Sequence, residues 1–252
     1  MFRLFLLLMT LTFLPFSALS EESLTFAEPL TGVYTWPEGS SEAAANYVYR
    51  YTYPQLSGES DVAIAFNNIF QYEVSDALGF ECPMLGSIHP ADAPQMQVSI
   101  ACTITHMGPE YLSVRIDKQV VTGDQISNII KAYTFTLTGQ RAGTVTSLPY
   151  MLGLLKDGEN DEWYINRQID KADTCTRDMV WQLISQNMES ADSTIYEDMT
   201  VEEFEAIFYP EEDFYLDESG NFVFFLQENA IAPADAGQFF YTLTLDEILD
   251  EI

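Results

Sequence analysis

Histidine, cysteine and the acidic side chains could do chemistry in this 252-residue chain, but their spacing matches no catalytic motif. Only two histidines occur: His89 precedes a proline in a predicted turn, and His106 ends a predicted strand. A zinc site needs several converging ligands, and neither histidine has them at metal-binding spacing. No His-Glu-x-x-His, Gly-x-Ser-x-Gly, phosphate-binding or dinucleotide-binding motif is present. The sequence therefore predicts a protein that is not an enzyme, with no catalytic residue, cofactor or metal ion.

The acidic residues leave alternatives open. A glycosidase needs two carboxyl groups that face each other about 5 to 9.5 Å apart. Acids are so frequent here that no pair stands out, so an enzyme that acts on peptidoglycan, or an accessory to one, is the alternative function. A Cys175–His nucleophile pair is conceivable, since such partners need not be adjacent in sequence. The acids of Asp157–Glu162 fail the EF-hand pattern at Glu162 and Gln168, which leaves only a weak surface calcium site as an alternative.

Two of the three cysteines are candidates for a disulfide. Cys82 precedes a stretch rich in turn residues, and Cys102 lies in a strand-like run beyond it. Closing that loop would contribute roughly 3 kcal/mol if the geometry permits. Sequence does not fix connectivity, so free thiols are the alternative. Cys175 lies in a helical pattern, where we expect it to behave as a small apolar residue.

Hydrophobic periodicity predicts a strand, a helix and a meander in the first half of the chain. An alternating aromatic run that enters a turn at Pro54 predicts the strand, and its four tyrosines indicate either a half-buried sheet or a sugar-binding platform; they are Tyr47, Tyr49, Tyr51 and Tyr53. Helical spacing follows over Val62–Leu78, and glycine and proline then predict a break between Gly79 and Pro94. Three further alternating runs predict an antiparallel meander: Met96–His106, Tyr111–Val121 and Ile129–Leu137.

The second half is predicted to contain helices and a hairpin. Ser147 can cap a short helix through Leu155, and the longest helix is predicted near residues 161–188. The sequence from Thr200 to Glu203 is a capping box. A turn at 217–221 separates two apolar runs, and a last strand begins at Phe239. The fold class is therefore α+β, an antiparallel sheet packed by helices on one face.

The chain is strongly acidic, with 10 Lys and Arg against 39 Asp and Glu. Residues 21–150 contain 14 acids and 5 bases, whereas residues 151–252 contain 25 acids and 4 bases. Such a surface repels nucleic acid and anionic lipid and attracts cationic partners. The alternative is that the charge only keeps the protein soluble.

The N-terminus predicts export. Met1–Arg3 is followed by an apolar run from Leu4 to Leu19, and Ala18 and Ser20 fit a signal peptidase site. The run is shorter than a membrane-spanning helix needs, so we expect cleavage after Ser20 rather than a retained anchor, with no stable membrane span afterwards. The predicted organisation is a signal peptide at 1–20, an extension at 21–46 and an extracellular domain at 47–252, with subdomains at about 47–145 and 146–252 as an alternative.

The order of several short segments resembles a family of Gram-positive extracellular domains. These segments are Tyr53-Pro54-Gln55-Leu56-Ser57-Gly58, Tyr111-Leu112-Ser113-Val114, Thr134 to Gln140, Phe214-Tyr215-Leu216, Phe222 to Phe225, Ile231-Ala232-Pro233 and Ala236-Gly237. The family forms the ectodomain of lysozyme-sensing anti-sigma factors, and a related domain precedes the catalytic part of a peptidoglycan deacetylase. Most members are domains of unknown function.

The resemblance implies a secreted or envelope-associated binding domain. The implied partner is a lysozyme-type cationic protein or the cell wall, with peptidoglycan as the second possibility. The family often carries Gly-Gly-Ala-His in the loop before its Thr-Gly segment, and this chain departs from that pattern. The corresponding loop contains Gly123, Asp124 and Gln125 without a histidine, so these three residues are only a weak ligand-loop candidate. Since only Met1–Arg3 precede the apolar run, binding of a sigma factor is not expected.

Overall fold

The computed structural model describes residues 24–252 and begins with a five-stranded sheet. In chain order and in spatial order its strands are β1 (Leu30–Trp36), β2 (Tyr47–Tyr53), β3 (Met96–Met107), β4 (Tyr111–Thr122) and β5 (Gln125–Thr136). The predicted meander is confirmed as β3, β4 and β5, which pair antiparallel. β1 lies in the segment 21–46, where the sequence predicted no strand, because most of its side chains are partly exposed and show no apolar alternation.

β2 and β3 are parallel, and the helices between them form the crossover that parallel strands require. α1 (Asp61–Asp76) leads through a π-helical turn at 77–81 into α2 (Cys82–Ile88). The predicted break between Gly79 and Pro94 is therefore wrong as far as Ile88, where the chain stays helical, and right from His89 onward. Pro83 lies in the first turn of α2, directly after the π-helical turn.

α1 packs on the sheet through aromatic side chains. Its first turn is capped by Ser60, whose Oγ accepts a hydrogen bond from the Ala63 N–H at 3.2 Å. Phe70 lies 5.3 Å from the ring of Tyr53, and Phe66 lies 5.0 Å from the ring of Phe135, between ring centroids. Tyr47, Tyr49 and Tyr53 are buried in the same core, so this strand packs inward and offers no platform to a sugar.

A second sheet and four helices form the C-terminal half. The antiparallel sheet contains β6 (Phe214–Leu216), β7 (Phe222–Leu226) and β8 (Phe239–Leu243). The helices are α3 (Leu148–Met151), α4 (Glu162–Met188), α5 (Val201–Glu205) and α6 (Leu245–Glu251). The predicted long helix, the hairpin and the capping box at Thr200 are confirmed. The predicted α+β class is also confirmed, although the strands form two sheets.

The two sheets meet along a seam. One face of the small sheet packs against Ile130 and Ala132 of β5 through Tyr215, Val223 and Phe225. Its other face forms a separate core with α3 to α6. At the seam Ser113 Oγ lies 2.9 Å from Thr134 Oγ1 and accepts a hydrogen bond from the Leu216 N–H at 3.1 Å. The small sheet is therefore fixed to β4 and β5 by buried polar contacts as well as by apolar packing.

Cys82 and Cys102, the predicted disulfide candidates, are both free thiols. Cys82 lies buried in α2 rather than before a turn, with its Sγ 3.6 Å from the Tyr47 hydroxyl. Cys102 lies on β3 opposite Ile116, six residues along the strand from Met96, the partner of Tyr47. Six strand residues span roughly 20 Å, which places the two thiols near different parts of the core.

The predicted signal peptide at 1–20 lies outside the described residues. Between Leu24 and Ile252, none of the helices is long and apolar enough to cross a membrane. Export therefore stays a prediction from the sequence.

Candidate functional site

Two adjoining clefts lie where the β3–β4 turn meets the end of β5. The larger has a volume of about 720 Å³. Its walls are formed by Leu24, Thr25, Ser57, Gly58, Ser60, Val62, Met107, Gly108, Pro109, Leu137 and Thr138. None of these side chains is ionisable, although the chain contains 39 acids. The cleft therefore offers apolar and uncharged polar contacts only.

The smaller cleft has a volume of about 330 Å³ and shares Thr138 with the larger one. Its walls are polar: three threonines, two tyrosines and four charged residues line it together with Leu155. These polar residues are Glu110, Tyr111, Thr136, Thr138, Arg141, Thr146, Tyr150, Lys156 and Asp157. The two clefts adjoin at Thr138, and together we call them the recess, uncharged in the larger cleft and charged in the smaller.

A reversal of the chain after β5 brings Arg141 into the smaller cleft. Gly139 adopts φ 74°, in the left-handed region that favours glycine, and begins a short 3₁₀ turn that ends at Arg141. The Gly143 N–H then donates to the Thr136 carbonyl at 2.8 Å, which fixes the returning chain beside the strand end. Arg141 Cζ lies 3.6 Å from the centroid of the Tyr150 ring on α3. This cation–π contact orients the guanidinium face-on to the ring.

Arg141 has no carboxylate partner. Within residues 24–252 its guanidinium forms neither an ion pair nor a hydrogen bond, and its buried Nε is unpartnered. Three other arginines do pair with acids: Arg50 with Glu42, Arg115 with Asp117, and Arg177 with Asp173. The smaller cleft thus contains a fixed positive charge whose hydrogen-bond donors are free.

Tyr111 lies close to this charge. Burial raises the pKa of its phenol, Glu110 raises it further, and Arg141 acts in the opposite direction. The phenol therefore stays protonated at neutral pH and can donate a hydrogen bond within the cleft.

A third cleft, of about 310 Å³, lies between the π-helical turn and β4–β5, and four of its five charged lining residues pair with one another. Lys118 pairs with Glu81, Lys131 pairs with Glu73, and the Tyr133 hydroxyl donates to Glu73. Burial, together with Glu73, raises the pKa of Tyr133 to about 12. These contacts brace α1 and the π-helical turn against the sheet. Within residues 24–252, Asp76 is the one charged lining residue without a partner, and it is exposed to solvent.

The outer surface of the C-terminal half is acidic. No Lys or Arg follows Arg177, and the remaining 75 residues contain 19 Asp and Glu. α4 contacts both α5 and α6, and these two helices expose seven carboxylates that we call the acidic helical face. They are Glu202, Glu203, Glu205, Asp246, Glu247, Asp250 and Glu251. Each is exposed, so the face presents a dense negative charge to solvent.

The weak ligand-loop candidate forms a tight hairpin. Thr122 pairs with Gln125, so Gly123 and Asp124 alone make the turn between β4 and β5. Gly123 adopts φ 59°, as the first central residue of a type II′ turn does. All three candidate residues are exposed, and they line none of the three clefts. The geometry therefore accounts for them as turn residues.

The two histidines have structural contacts. His89 Nε2 lies 2.9 Å from the Pro94 carbonyl, and His106 Nδ1 lies 2.9 Å from the Asp217 carbonyl at the seam. Across residues 24–252 no group of His, Cys, Asp and Glu is arranged to hold a metal ion.

Two carboxyl groups have strongly raised pKa values, and each accepts a hydrogen bond from the backbone. Burial raises the pKa of Glu211 to about 7 and that of Asp213 to about 6. Glu211 accepts a hydrogen bond from the Leu148 N–H at 3.3 Å, and Asp213 accepts one from the Tyr209 N–H at 2.8 Å. Both side chains thus bind loop or helix-terminal backbone, and neither lines one of the three clefts.

Sequence reasoning missed the Arg141–Tyr150 pair. No motif contains these residues, which lie nine positions apart on either side of a chain reversal and a helix start. The one available signal is the segment Thr134 to Gln140, which belongs to the family resemblance but indicates nothing about Arg141.

Comparison with known proteins gives a likeness in fold. No family model and no curated protein matches this chain. A DUF3298 family protein from Pseudomonas aeruginosa PAO1 has a similar structure, with a TM-score of 0.54 and 12% identity, over 91% of this chain and 94% of that chain. A DUF3298 family member from Bacteroides fragilis NCTC 9343 has a TM-score of 0.50 and 14% identity, over 90% of this chain and 98% of that chain. The chain therefore shares the fold of DUF3298 proteins, a domain of unknown function.

Proposed function

We propose that the protein is a non-catalytic binding domain that works outside the cytoplasmic membrane and recognises a cationic partner such as a lysozyme-type protein. The acidic helical face is the observation that carries this proposal. It combines seven exposed carboxylates with a stretch of 75 residues that contains no base. Seven of the 19 acids in this stretch lie on two short helices that both contact α4, an arrangement that a basic surface could dock against.

The expected mode of binding is electrostatic steering. Carboxylates on short exposed helices attract a basic protein before contact and orient it, which raises the association rate. Salt screens such charges over about 8 Å at physiological ionic strength. Binding should therefore weaken markedly as salt is added.

The experiment is calorimetric titration with a basic lysozyme at low and at physiological salt. The test variant removes three acids of the acidic helical face: Glu205→Gln, Asp250→Asn and Glu251→Gln. The matched control removes three exposed acids from the N-terminal half: Glu38→Gln, Glu59→Gln and Asp92→Asn. Both variants have the same net charge, so only a localised docking surface makes the first bind more weakly than the second. The absence of any association at low salt would overturn the proposal.

Export rests on the apolar run Leu4–Leu19 and the cleavage pattern at Ala18 and Ser20. We expect protein recovered from the culture medium or the cell envelope to begin at Glu21. N-terminal sequencing checks this, and an intact Met1 in a cytoplasmic fraction would contradict it. Turnover of cell-wall fragments by the purified protein would instead support the enzymatic alternative.

A further inference from the structure

The guanidinium of Arg141 is a charged group whose hydrogen-bonding capacity is unused. It stacks on Tyr150 at 3.6 Å, and its buried Nε has no partner among the residues of 24–252. Burying a charged donor without a partner costs free energy, so such groups in folded proteins call for a specific explanation. Glu110 and Asp157 line the same cleft, yet within residues 24–252 neither pairs with Arg141, so its guanidinium is left for a carboxylate that arrives with a ligand.

The surroundings of Arg141 fit a carboxylate group. The planar fork of a guanidinium matches the two oxygens of a carboxylate, and stacking on a ring holds that fork in one orientation. The hydroxyls of Thr136, Thr138 and Thr146 line the same cleft, and none of them hydrogen-bonds to another residue within the described part of the chain. Lys156 adds a second positive charge at the cleft.

The cleft also contains two acids, which limits the charge of the ligand. Glu110 and Asp157 line it together with Arg141 and Lys156, so its formal charges cancel. A highly charged anion such as a phosphate ester would meet repulsion from these acids. A single carboxylate next to amide groups fits better, since Glu110 and Asp157 can accept amide N–H bonds.

The adjoining cleft provides room for the rest of such a ligand. It shares Thr138 with the charged cleft and contains no ionisable side chain. Leu24, Val62 and Leu137 offer apolar contact, whereas Ser57 and Ser60 offer hydroxyls. This mixture of apolar and hydrogen-bonding groups suits a short peptide better than an alkyl chain, which would leave the hydroxyls unsatisfied.

From these observations we infer that the recess binds the C-terminus of a peptide, with the terminal carboxylate on Arg141 and the preceding residues in the uncharged cleft. This site shares no residue with the acidic helical face and takes a ligand of the opposite charge. It therefore goes beyond the proposed function, and either can fail without the other.

The test uses a pool of N-acetyl-Ala-Ala-X peptides, where X is Ala, Val, Leu or Phe, together with the same pool as C-terminal amides. Binding is followed by titration calorimetry and by the NMR signal of the Arg141 Nε–H. We expect the free-acid pool to bind, to shift this signal and to bind at least about tenfold more tightly than the amide pool, because a charge-assisted hydrogen-bond pair is lost in the amide.

Arg141→Gln should weaken binding of the free-acid pool by about tenfold and leave the weak binding of the amide pool unchanged. Arg167→Gln is the matched control, since Arg167 also stacks on an aromatic ring, with its Cζ 5.5 Å from the centroid of Trp163, but lies outside the recess. Arg141→Lys keeps the positive charge but lacks the planar pair of guanidinium donors, so this variant should bind the free-acid pool with intermediate affinity. Circular dichroism establishes that each variant is folded.

Three results would overturn the inference: equal affinity for free acids and amides, equal loss of affinity in Arg141→Gln and Arg167→Gln, or failure of the free-acid pool to bind. Decanoate is a further arm. If it binds to the Arg141 site more tightly than any peptide does, the site takes an alkyl carboxylate and the peptide assignment is wrong.

Discussion

The side-chain amide of Gln227 makes both of the backbone hydrogen bonds to Ile130 that a neighbouring strand would otherwise make. Its Oε1 accepts from the Ile130 N–H at 2.9 Å, and its Nε2 donates to the Ile130 carbonyl at 2.7 Å. Two residues along β5, the Asn128 N–H donates to Glu228 at 2.6 Å and the Asn128 carbonyl accepts from Gln238 at 3.2 Å. β5 is an edge strand, and these side chains occupy backbone groups through which another chain could pair.

We expect Gln227→Leu to destabilise the protein by about 2 kcal/mol, because it leaves the N–H and C=O of a buried residue without partners. The variant should also associate at high concentration, since part of the edge of β5 becomes free to pair. Urea unfolding and sedimentation velocity measure the two effects. Gln186→Leu, at an exposed position of α4, is the control and should change stability little. Equal effects of the two substitutions would show that the edge contacts contribute nothing.

Glu211 predicts a dependence of stability on pH. Burial, aided by Asp173, raises the pKa of this carboxyl to about 7, above the value of about 4.3 in an unfolded chain. Between about pH 4.3 and pH 7, the Glu211 carboxyl is therefore protonated in the folded protein and ionised in the unfolded chain. Its free energy of unfolding should fall as pH rises from about 4.5 to 7, and the stabilisation is fully present only below that window.

Glu211→Gln should flatten this dependence and raise stability at pH 8, because glutamine keeps an oxygen for the Leu148 N–H without the buried charge. Urea unfolding between pH 5 and 8 gives the measurement. Glu218→Gln removes a charge from an exposed residue that contacts neither Glu211 nor Asp213 and serves as the control. An unchanged slope in Glu211→Gln, or the same flattening in Glu218→Gln, would refute the assignment.

The thiols of Cys82 and Cys102 should be unreactive in the folded state. Burial raises the pKa of Cys82 to about 11 and that of Cys102 to about 12, so neither forms the nucleophilic thiolate at neutral pH. We expect iodoacetamide to modify neither cysteine under native conditions at pH 7.5. In urea without reductant, the intact mass should show three adducts, one for each free thiol. Only one adduct in urea would mean that two cysteines are paired.

Local patterns predicted the elements of this fold, but not the contacts between them. The strand alternation of β3 to β5, the spacing of α4 and the capping box at Thr200 depend on neighbouring residues, and the sequence contains them. The parallel β2–β3 pairing, the division into two sheets and the meeting of Arg141 with Tyr150 depend on packing between distant segments. The break predicted after Gly79 was wrong as far as Ile88 for the same reason, since glycine and proline are helix breakers only where tertiary contacts do not hold the helix together.

Gly86 and Gly79 provide a direct test of that last point. Both lie in the continuous helical segment, where alanine is intrinsically favoured over glycine by about 1 kcal/mol. A Cβ on Gly86 would lie 2.5 Å from Cγ of Trp36, whereas a Cβ on Gly79 has nothing within 4 Å. Gly79→Ala should therefore stabilise the protein by up to about 1 kcal/mol, while Gly86→Ala should destabilise it by about 1–3 kcal/mol, because α2 must move away from β1.

Urea unfolding of the two variants, with Trp36 among the fluorescent reporters, provides the measurement. If α2 packs as described, the fluorescence of the folded state should change in Gly86→Ala and stay the same in Gly79→Ala. Stabilisation by both substitutions would mean that helix propensity alone decides their effect and that α2 does not lie against Trp36. The two Gly→Ala substitutions are therefore expected to change stability in opposite directions. This difference separates the effect of close packing from that of helix propensity, which the sequence pattern alone could not do.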